Sequence, residues 1–404
     1  MKKIRFGIAG VGGMGAGHAS NIVRDNSRHF CLAAVCDIVE ERARQVGGQH
    51  NVPHFTDACE MYDSGLIDAA IIAAPHYCHG PLTIAAARRG LHVLCEKPLS
   101  ACVGHARVMI AECKKRRVVL GTVFQHRTRG IMIKARELVR GGALGEVFRV
   151  QLVCSNWFRT QAYYDSGAWR GTWDGEGGGV LINQGPHHLD LFQWIGLGVP
   201  KRVIATVATR EHKIEVEDTA NIICDYGDGK IGYIYATTAE EPGMDQFIIS
   251  GDKATMMIQG GKIMLGKLAV STTEHVYGGR EADAVAKPIA AQGCTWKEVG
   301  CLARKGRKGH IEIVRGFARE VLGLGRQYAP GDEAICELEI SSAAYLSGFN
   351  GGVPVDLPVD GAAVDRLLAR LDRQRSTGKG GGLRARYQRQ FKKLMRGARK
   401  AKGR

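Results

Sequence analysis

Lys97 is the side chain whose type and position most readily suggest chemistry. It lies in the segment Cys95-Glu96-Lys97-Pro98, directly after the apolar run 91–94, which is typical of a buried parallel strand. Proline cannot continue a strand, and ligands of open α/β sheets bind at the carboxyl ends of the strands. We therefore expect Lys97 at a ligand site. A surface Glu-Lys pair before a strand-ending proline is the alternative interpretation.

His187 is the second candidate for acid–base chemistry. It lies in residues 177–190, which start with three glycines and for which we predict a helix. Asn183, His187 and Asp190 have the i, i+4, i+7 spacing of one helical face. Polar groups on an otherwise apolar helix are costly to bury unless they line a site, and imidazole accepts a proton near neutral pH. A hydrogen-bonded core histidine is the alternative.

A run of aromatic and basic residues between 156 and 173 predicts a surface for carbohydrate. It holds three of the five tryptophans of the chain. Flat aromatic faces cover the C–H surfaces of sugars, and Arg and Trp N–H groups donate to hydroxyls. Packing of these rings in a dimer interface is the alternative. With two neighbours in the predicted helix, the expected substrate-binding residues are Trp157, Arg159, Tyr163, Tyr164, Trp169, Arg170, Trp173, Asn183 and His188.

A glycine-rich turn near the N-terminus predicts a dinucleotide site. Gly10, Gly12 and Gly15 fill the pattern G-x-G-x-x-G after a predicted strand and at the start of a predicted helix. Backbone amides in such a turn approach a pyrophosphate closely. Asp37 ends the second predicted strand, where its carboxylate would bind a ribose and repel a 2′-phosphate. The predicted cofactor is therefore NAD rather than NADP.

The residues expected to contact the cofactor lie in this turn and at the ends of the neighbouring strands. They are Gly10, Gly12, Gly13, Met14, Gly15, Asp37, Ala74, Pro75, His79, Glu96, Lys97 and Gln125. A packed or helix-capping histidine is an equal alternative for His79.

The order of predicted elements divides the chain into two domains and a tail. Residues 1–125 alternate strands and helices, which is typical of a doubly wound parallel (Rossmann) sheet. The strands are expected at 4–9, 32–36, 69–74, 92–95 and 118–122. Residues 126–360 predict an α+β domain with a large, mostly antiparallel open sheet, for substrate binding and for assembly into a homodimer or homotetramer. Its strands are expected at 147–154, 202–209, 219–224, 230–237 and 245–251.

Most of the net charge of +16 lies in one segment. Residues 373–404 contain thirteen Lys or Arg and no acid, so the rest of the chain is almost neutral. The tail, 361–404, is predicted to be helical or disordered. Leu383, Tyr387, Phe391, Leu394 and Met395 recur with helical spacing among its basic residues. A solvated extension dispensable for catalysis is the first interpretation. Docking on the body or a partner, or binding of nucleic acid or an anionic surface, is the alternative.

Composition excludes several other classes of protein. The twelve cysteines form no CxxC pair, which fits reduced thiols and a cytoplasmic location rather than a disulfide framework. No apolar run reaches the roughly 20 residues of a membrane span, and we expect no signal peptide. No cluster of His, Cys and carboxylates has the spacing of a metal site, so none is expected.

With these motifs together, the chain resembles the Gfo/Idh/MocA family of sugar and cyclitol oxidoreductases. The resemblance covers residues 3–358 and includes the glycine turn, Glu96-Lys97-Pro98 and the segment from the three glycines to Asp190. It implies that Lys97 lies beside the reacting carbinol and that His187 is the helix histidine. The aspartate that the family commonly has four residues earlier is Asn183 here, so the acid–base role falls on His187, Lys97 or both.

The resemblance implies an NAD-dependent oxidoreductase that takes hydride from a secondary ring hydroxyl of a sugar, glycoside or cyclitol. The run from Tyr163 to Trp173 looks like the subgroup that acts on glycosides, often at C3. A redox-neutral glycosidase or lyase using the same site, or a sugar- or NAD-sensing protein without catalysis, are the alternatives.

Overall fold

The computed structural model describes residues 3–278, 294–300, 309–379 and 381–400, with the side chains of 395–400 outside that description. Its first part is a sheet of six parallel strands in the order β3-β2-β1-β4-β5-β6. The strands are β1 (Ile4–Ala9), β2 (Phe30–Cys36), β3 (His54–Phe55), β4 (Ala69–Ile72), β5 (His92–Cys95) and β6 (Leu120–Thr122). The helices between them are α1 (Gly13–Asp25), α2 (Glu40–His50), α3 (Ala58–Asp63), α4 (His79–Arg88) and α5 (Val103–Arg116).

The predicted doubly wound parallel sheet is confirmed. Its central strands are buried on both faces, as their continuous apolar sequences require. The sequence analysis missed β3 and α3, because a two-residue strand and a six-residue helix carry almost no periodic signal.

The second part is a nine-stranded sheet in the order β14-β13-β12-β11-β7-β10-β9-β8-β15. Within the described strands of this second sheet, only β7 and β10 pair in parallel, so the mostly antiparallel prediction is confirmed. The strands are β7 (Val147–Cys154), β8 (Arg202–Ala208), β9 (Thr219–Gly227), β10 (Lys230–Thr237), β11 (Asp245–Gly251), β12 (Ala254–Gln259), β13 (Lys262–Lys267), β14 (Thr295–Val299) and β15 (Val355–Asp356).

Eight further helices lie in the second half of the described residues. They are α6 (Gly130–Arg140), α7 (Gln161–Asp165), α8 (Pro186–Ile195), α9 (Thr272–Gly278), α10 (His310–Val321), α11 (Gly331–Gly348), α12 (Gly361–Arg375) and α13 (Leu383–Lys400). Helix α8 packs on the inner face of the sheet, where Phe192 contacts Phe247 of β11. Helix α10 instead returns to the first sheet, where its Phe317 packs against Phe6 of β1. The second half of the chain therefore completes the core of the first sheet.

The C-terminal helix α13 lies on the body of the protein. Phe391 is buried and its ring stacks 3.7 Å from that of His105 in α5. The backbone N–H groups of Leu383 and Arg384 donate to the carboxylate of Asp174, at 2.8 and 2.9 Å, and so cap the helix. These contacts favour the docked alternative over a solvated extension. The exposed face keeps several cations, and binding of nucleic acid or an anionic surface stays a prediction.

Within the described part of the chain, every helix is too short or too polar to span a bilayer.

Docking of α13 predicts that Phe391→Ala destabilises the protein. Loss of a buried phenylalanine side chain should lower the free energy of unfolding by about 3 kcal/mol, measured by denaturant unfolding. Arg389→Ala is the control, since this side chain is exposed on the same helix and should change stability by less than about 0.5 kcal/mol. Shortening the chain to end at Ser376 should lower turnover as well, because Asp174 loses its partners. Equal effects of the two point variants would contradict a docked helix.

Candidate active site

The glycine turn lies at the carboxyl end of β1 and opens α1. Gly10 has φ of +92°, and a Cβ there would lie 2.8 Å from the carbonyl oxygen of Ala73. A Cβ on Gly15 would overlap the carbonyl of Gly10, whereas Gly12 faces open space. The N-terminus of α1 has no side-chain cap, so its first N–H groups stay available to an anion. The turn therefore fits the pyrophosphate of a dinucleotide.

Asp37 is held at this turn by the backbone. Its two carboxylate oxygens accept hydrogen bonds from the N–H groups of Val11 and Val39, each at 3.0 Å. The next side chain, Ile38, is three-quarters exposed and carries no positive charge. A carboxylate fixed beside the turn and followed by two apolar residues is the arrangement that disfavours a 2′-phosphate.

Lys97 reaches from the first sheet to the segment before α8. Its Nζ donates to the backbone carbonyl of Asn183 at 2.7 Å and lies 3.4 Å from the Oδ1 of the same residue. The preceding Glu96 is buried, and its carboxylate contacts His18 Nε2 of α1 at 2.6 Å. Burial lowers the pKa of the Lys97 ammonium, and nearby carboxylates partly offset that effect.

His187 lies in the first turn of α8, beside two residues that follow β6. Gln125 Nε2 is 3.0 Å from His187 Nε2, and the ring of His126 stacks on that of His187 at 4.4 Å. The pKa of His187 is well below its usual value because the ring is buried and because His126 and Lys97 lie nearby. The imidazole is therefore neutral near pH 7.

The expected helical face of Asn183, His187 and Asp190 is wrong in two respects. Helix α8 begins only at Pro186, so Asn183 lies in the turn before it. The Asp190 carboxylate forms an ion pair with the buried Arg127 at 2.6 Å and does not join His187 at the site. Proline at the first helical position sets this start, which the spacing of polar residues does not reveal.

Five of the predicted substrate-binding residues form one alternating stack of rings and guanidinium groups. The Cζ of Arg159 lies 5.3 Å from the ring of Trp157 and 4.9 Å from that of Tyr163. The Cζ of Arg170 lies 4.5 Å from the Tyr163 ring and 4.7 Å from Trp169. The stack adjoins Asn183, whose Nδ2 is 3.2 Å from the Tyr163 hydroxyl. It places two guanidinium groups and three aromatic rings close to Asn183, which contacts Lys97.

The geometry does not bring Tyr164 and Trp173 to this surface. Both side chains are almost fully buried. The hydroxyl of Tyr164 bonds to Thr238 Oγ1 at 2.8 Å, and the indole N–H of Trp173 donates to the Glu215 carbonyl at 2.8 Å. We correct their expected role to packing, because alternate aromatic residues of one run cannot all face the same side.

Two predicted histidines are also occupied by the protein itself. His79 is fully buried between the carbonyl oxygens of Ala74 and Pro98, 2.8 Å from each, and so ties the ends of β4 and β5 together. His188 lies edge-on to Trp157, with its Nε2 3.5 Å from Asp245. Of the remaining cofactor candidates, Pro75 follows β4 at the same sheet edge and Met14 is half-exposed on α1.

Several buried polar atoms at this junction have no hydrogen-bond partner among the described residues. They are Gln125 Oε1, His126 Nδ1, Gln184 Oε1 and His187 Nδ1. Buried polar atoms are normally paired, so a polar ligand is the natural partner of such a group of atoms. Among the residues that the structure describes, no group of three or more His, Cys, Asp or Glu side chains is placed to bind a metal ion.

Glu176 is a buried acid that the sequence analysis did not single out. Its Oε2 accepts from the N–H of Gly171 at 2.7 Å, and its Oε1 contacts Asn183 Nδ2. Burial raises the pKa of this carboxyl to about 7, and the Gly171 N–H and Arg170 partly offset that effect. The signal in the sequence was an acid enclosed by Gly175 and Gly177.

Two protein-family models match this chain. Residues 4–124 match the oxidoreductase family with an NAD-binding Rossmann fold, and residues 132–257 match the GFO/IDH/MocA C-terminal domain. The chain belongs to the GFO/IDH/MocA family. It is accordingly an NAD-binding oxidoreductase, and the resemblance seen in the sequence is confirmed.

Individual members of the family cover much of the chain. The rhizopine catabolism protein MocA of Rhizobium meliloti is 26% identical over 60% of this chain and 74% of its own length. The myo-inositol 2-dehydrogenase of Thermotoga maritima is 27% identical, over 61% and 72%. Among solved structures, the WlbA dehydrogenase of Bordetella pertussis in complex with NADH and UDP-GlcNAcA is 26% identical, with a TM-score of 0.73 over 89% of this chain and 100% of that one.

The position of Asp37 predicts cofactor preference. NAD+ should bind at least tenfold more tightly than NADP+, a difference of about 1.4 kcal/mol, because a 2′-phosphate would meet the fixed carboxylate. Binding titrations of both nucleotides measure this ratio. Replacing Asp37 by Ser and Ile38 by Arg should narrow it, and equal affinities in the unaltered protein would refute the assignment.

Proposed function

We propose that the protein is an NAD-dependent dehydrogenase that oxidises a secondary ring hydroxyl of a sugar, glycoside or cyclitol. The observation that carries the proposal is the junction of Lys97, Asn183 and His187 at the carboxyl edge of the Rossmann sheet. Unpartnered polar atoms on one side and the stack of rings and guanidinium groups on the other give this junction the character of a carbohydrate site. Relatives named as an inositol dehydrogenase and as a dehydrogenase in complex with a UDP-sugar support the substrate class.

The chain supplies two groups that can handle the proton of the reacting hydroxyl. Bound NAD+ would accept the hydride. Lys97 as an ammonium stabilises the alkoxide that develops as the hydroxyl proton leaves, whereas neutral His187 accepts that proton. Because the pKa of Lys97 is itself lowered, the lysine is a second candidate base. Asn183 binds a hydroxyl without taking its proton.

The stack that contains Tyr163 favours a pyranoside substrate. Rings and guanidinium groups that lie 4.5–5.3 Å apart alternate apolar and hydrogen-bonding groups at a spacing comparable with the width of one sugar ring. We propose oxidation at C3 of a glycoside as the preferred reaction of the site.

NADH formation tests the proposed function. Sugars, glycosides and inositols are incubated with NAD+ and protein, and absorbance at the reduced nicotinamide band is followed. At least one should give sustained NADH, and Lys97→Ala or His187→Ala should lower that turnover by roughly 10² while NAD+ affinity changes little. A substrate that is converted without NADH accumulation would instead establish redox-neutral chemistry. No conversion of any substrate would favour the sensor.

The open face of the nine-stranded sheet is proposed as the contact between two copies of the chain. Exposed Ile204, Ile223 and Tyr233 lie side by side on β8, β9 and β10, and Ile231 continues the same face. Adjacent exposed apolar side chains on a paired sheet are typical of an interface.

Solution mass tests this assembly. Light scattering should give a dimer or tetramer, and Ile223→Asp should lower the mass toward that of the monomer, because a buried unpaired charge is costly. Leu324→Asp is the matched control, since Leu324 is equally exposed but lies after α10, away from the sheet. A monomeric unaltered protein would contradict the assembly.

A further inference from the structure

Glu176 has no role in the mechanism above, yet only the side chain of Asn183 lies between it and Lys97. Its side chain is 1% exposed. Its Oε1 contacts the amide nitrogen of Asn183, while the amide oxygen of the same residue lies 3.4 Å from Lys97 Nζ. A single amide thus separates a buried carboxyl from the ammonium expected at the reacting carbon.

The two charges dictate how this amide is oriented. With Glu176 ionised, the amide nitrogen donates to the carboxylate and the amide oxygen faces the ammonium, so both contacts are favourable. Reversal of the Asn183 amide would set an oxygen against the carboxylate and an N–H group against Lys97. Protonation of Glu176 weakens this acceptor and adds an O–H donor that can face the Asn183 amide oxygen, so the preference for the productive orientation becomes smaller.

We propose that Glu176 is a positioning residue that holds the Asn183 amide toward Lys97 and thereby keeps Lys97 placed as an ammonium. The inference rests on the proposed dehydrogenase for its effect on turnover, but its effect on Lys97 stands independently. The carboxyl group of Glu176 is too deeply buried to contact a substrate.

The groups around Glu176 come from several elements. Charged and titratable neighbours are Lys97 after β5, Arg170 after α7, Tyr164 in α7 and Tyr345 in α11, and its backbone carbonyl bonds to His76 Nδ1 after β4. Lys97 and Arg170 favour the ionised carboxylate, whereas burial opposes it. With the pKa of Glu176 raised to about 7, the carboxylate is lost as pH falls through neutrality, and turnover should fall with it.

Glu176→Gln removes the charge and keeps the shape, and two measurements follow it. Site-resolved competitive labelling of lysines with acetic anhydride across pH reports the pKa of Lys97 without any substrate. The variant should label Lys97 several-fold faster at pH 7, because loss of the neighbouring negative charge lowers that pKa. With the substrate identified, kcat should fall about tenfold at pH 8 and lose its acid limb, while the KM for NAD+ stays unchanged.

Glu217→Gln is the matched control. Glu217 is equally buried, the pKa of its carboxyl is raised to about 7 by burial, and it accepts bonds from Gly179, Leu181 and Tyr345. It does not bond to Asn183, so its variant should leave the Lys97 labelling profile and the acid limb of kcat as they are. Glu176→Asp keeps a carboxylate and should retain the acid limb if the glutamine variant does not fold.

The outcomes separate the two proposals. A shifted Lys97 profile with no oxidisable substrate supports the link from Glu176 to Lys97 and refutes the dehydrogenase. An unshifted Lys97 profile in Glu176→Gln, or the same shift in Glu217→Gln, overturns the positioning role even if the enzyme is active.

Discussion

The buried ion pair of Arg127 and Asp190 fixes the geometry on which the site depends. Two guanidinium nitrogens of Arg127 donate to Asp190 at 2.6 and 2.8 Å, and a third bonds to Glu333 of α11 at 2.5 Å. Both members of the pair are inaccessible to solvent, so loss of Arg127 would leave Asp190 as an unpaired buried charge at a cost of about 3–5 kcal/mol. Gln125 and His126 precede Arg127 directly, and both contact His187. The short turn after β6 therefore anchors α8 and positions His187.

A second anchor comes from the other side of the junction. Lys97 follows β5 and bonds to Asn183, just before α8, so both ends of this segment are tied to neighbouring strands of the Rossmann sheet. The two sheets can then not separate at this point without breaking a buried ion pair and a charge-assisted bond. Such rigidity holds the proton-handling groups at the edge where the nicotinamide is expected, and preorganisation of this kind is a principal source of catalytic rate.

Sequence patterns predicted the parts of this arrangement that are local. The glycine turn, Asp37 and the central strands depend on neighbours within one βαβ unit, and period and turn chemistry report them. The start of α8 is set locally by Pro186, but the spacing of polar residues did not reveal it. The burial of Trp173 and the position of Glu176 depend on contacts with distant parts of the chain. A tryptophan in the core and one in a site have the same sequence signature. Only tertiary packing decided that Trp169 lies beside Arg170 and Trp173 in the core.

Three buried glutamates near the site show how hydrogen-bond donors limit the rise in pKa that burial causes. Glu337 is fully buried, its oxygens have no hydrogen-bond partner among the described residues, and its pKa is accordingly raised well above the usual value. Glu217 has several donors but no hydrogen-bonded cation, and Glu176 has a backbone donor together with Arg170 and Lys97 nearby. Since an unpaired carboxylate in the interior is far costlier than a carboxylic acid, Glu337 stays neutral. Glu176 alone combines a titration near neutral pH with a contact to Asn183. An aspartate at position 183 would place a negative charge beside Lys97, but the residue there is Asn183. Glu176 supplies the charge on the far side of the Asn183 amide, where it orients the amide without competing for the substrate proton.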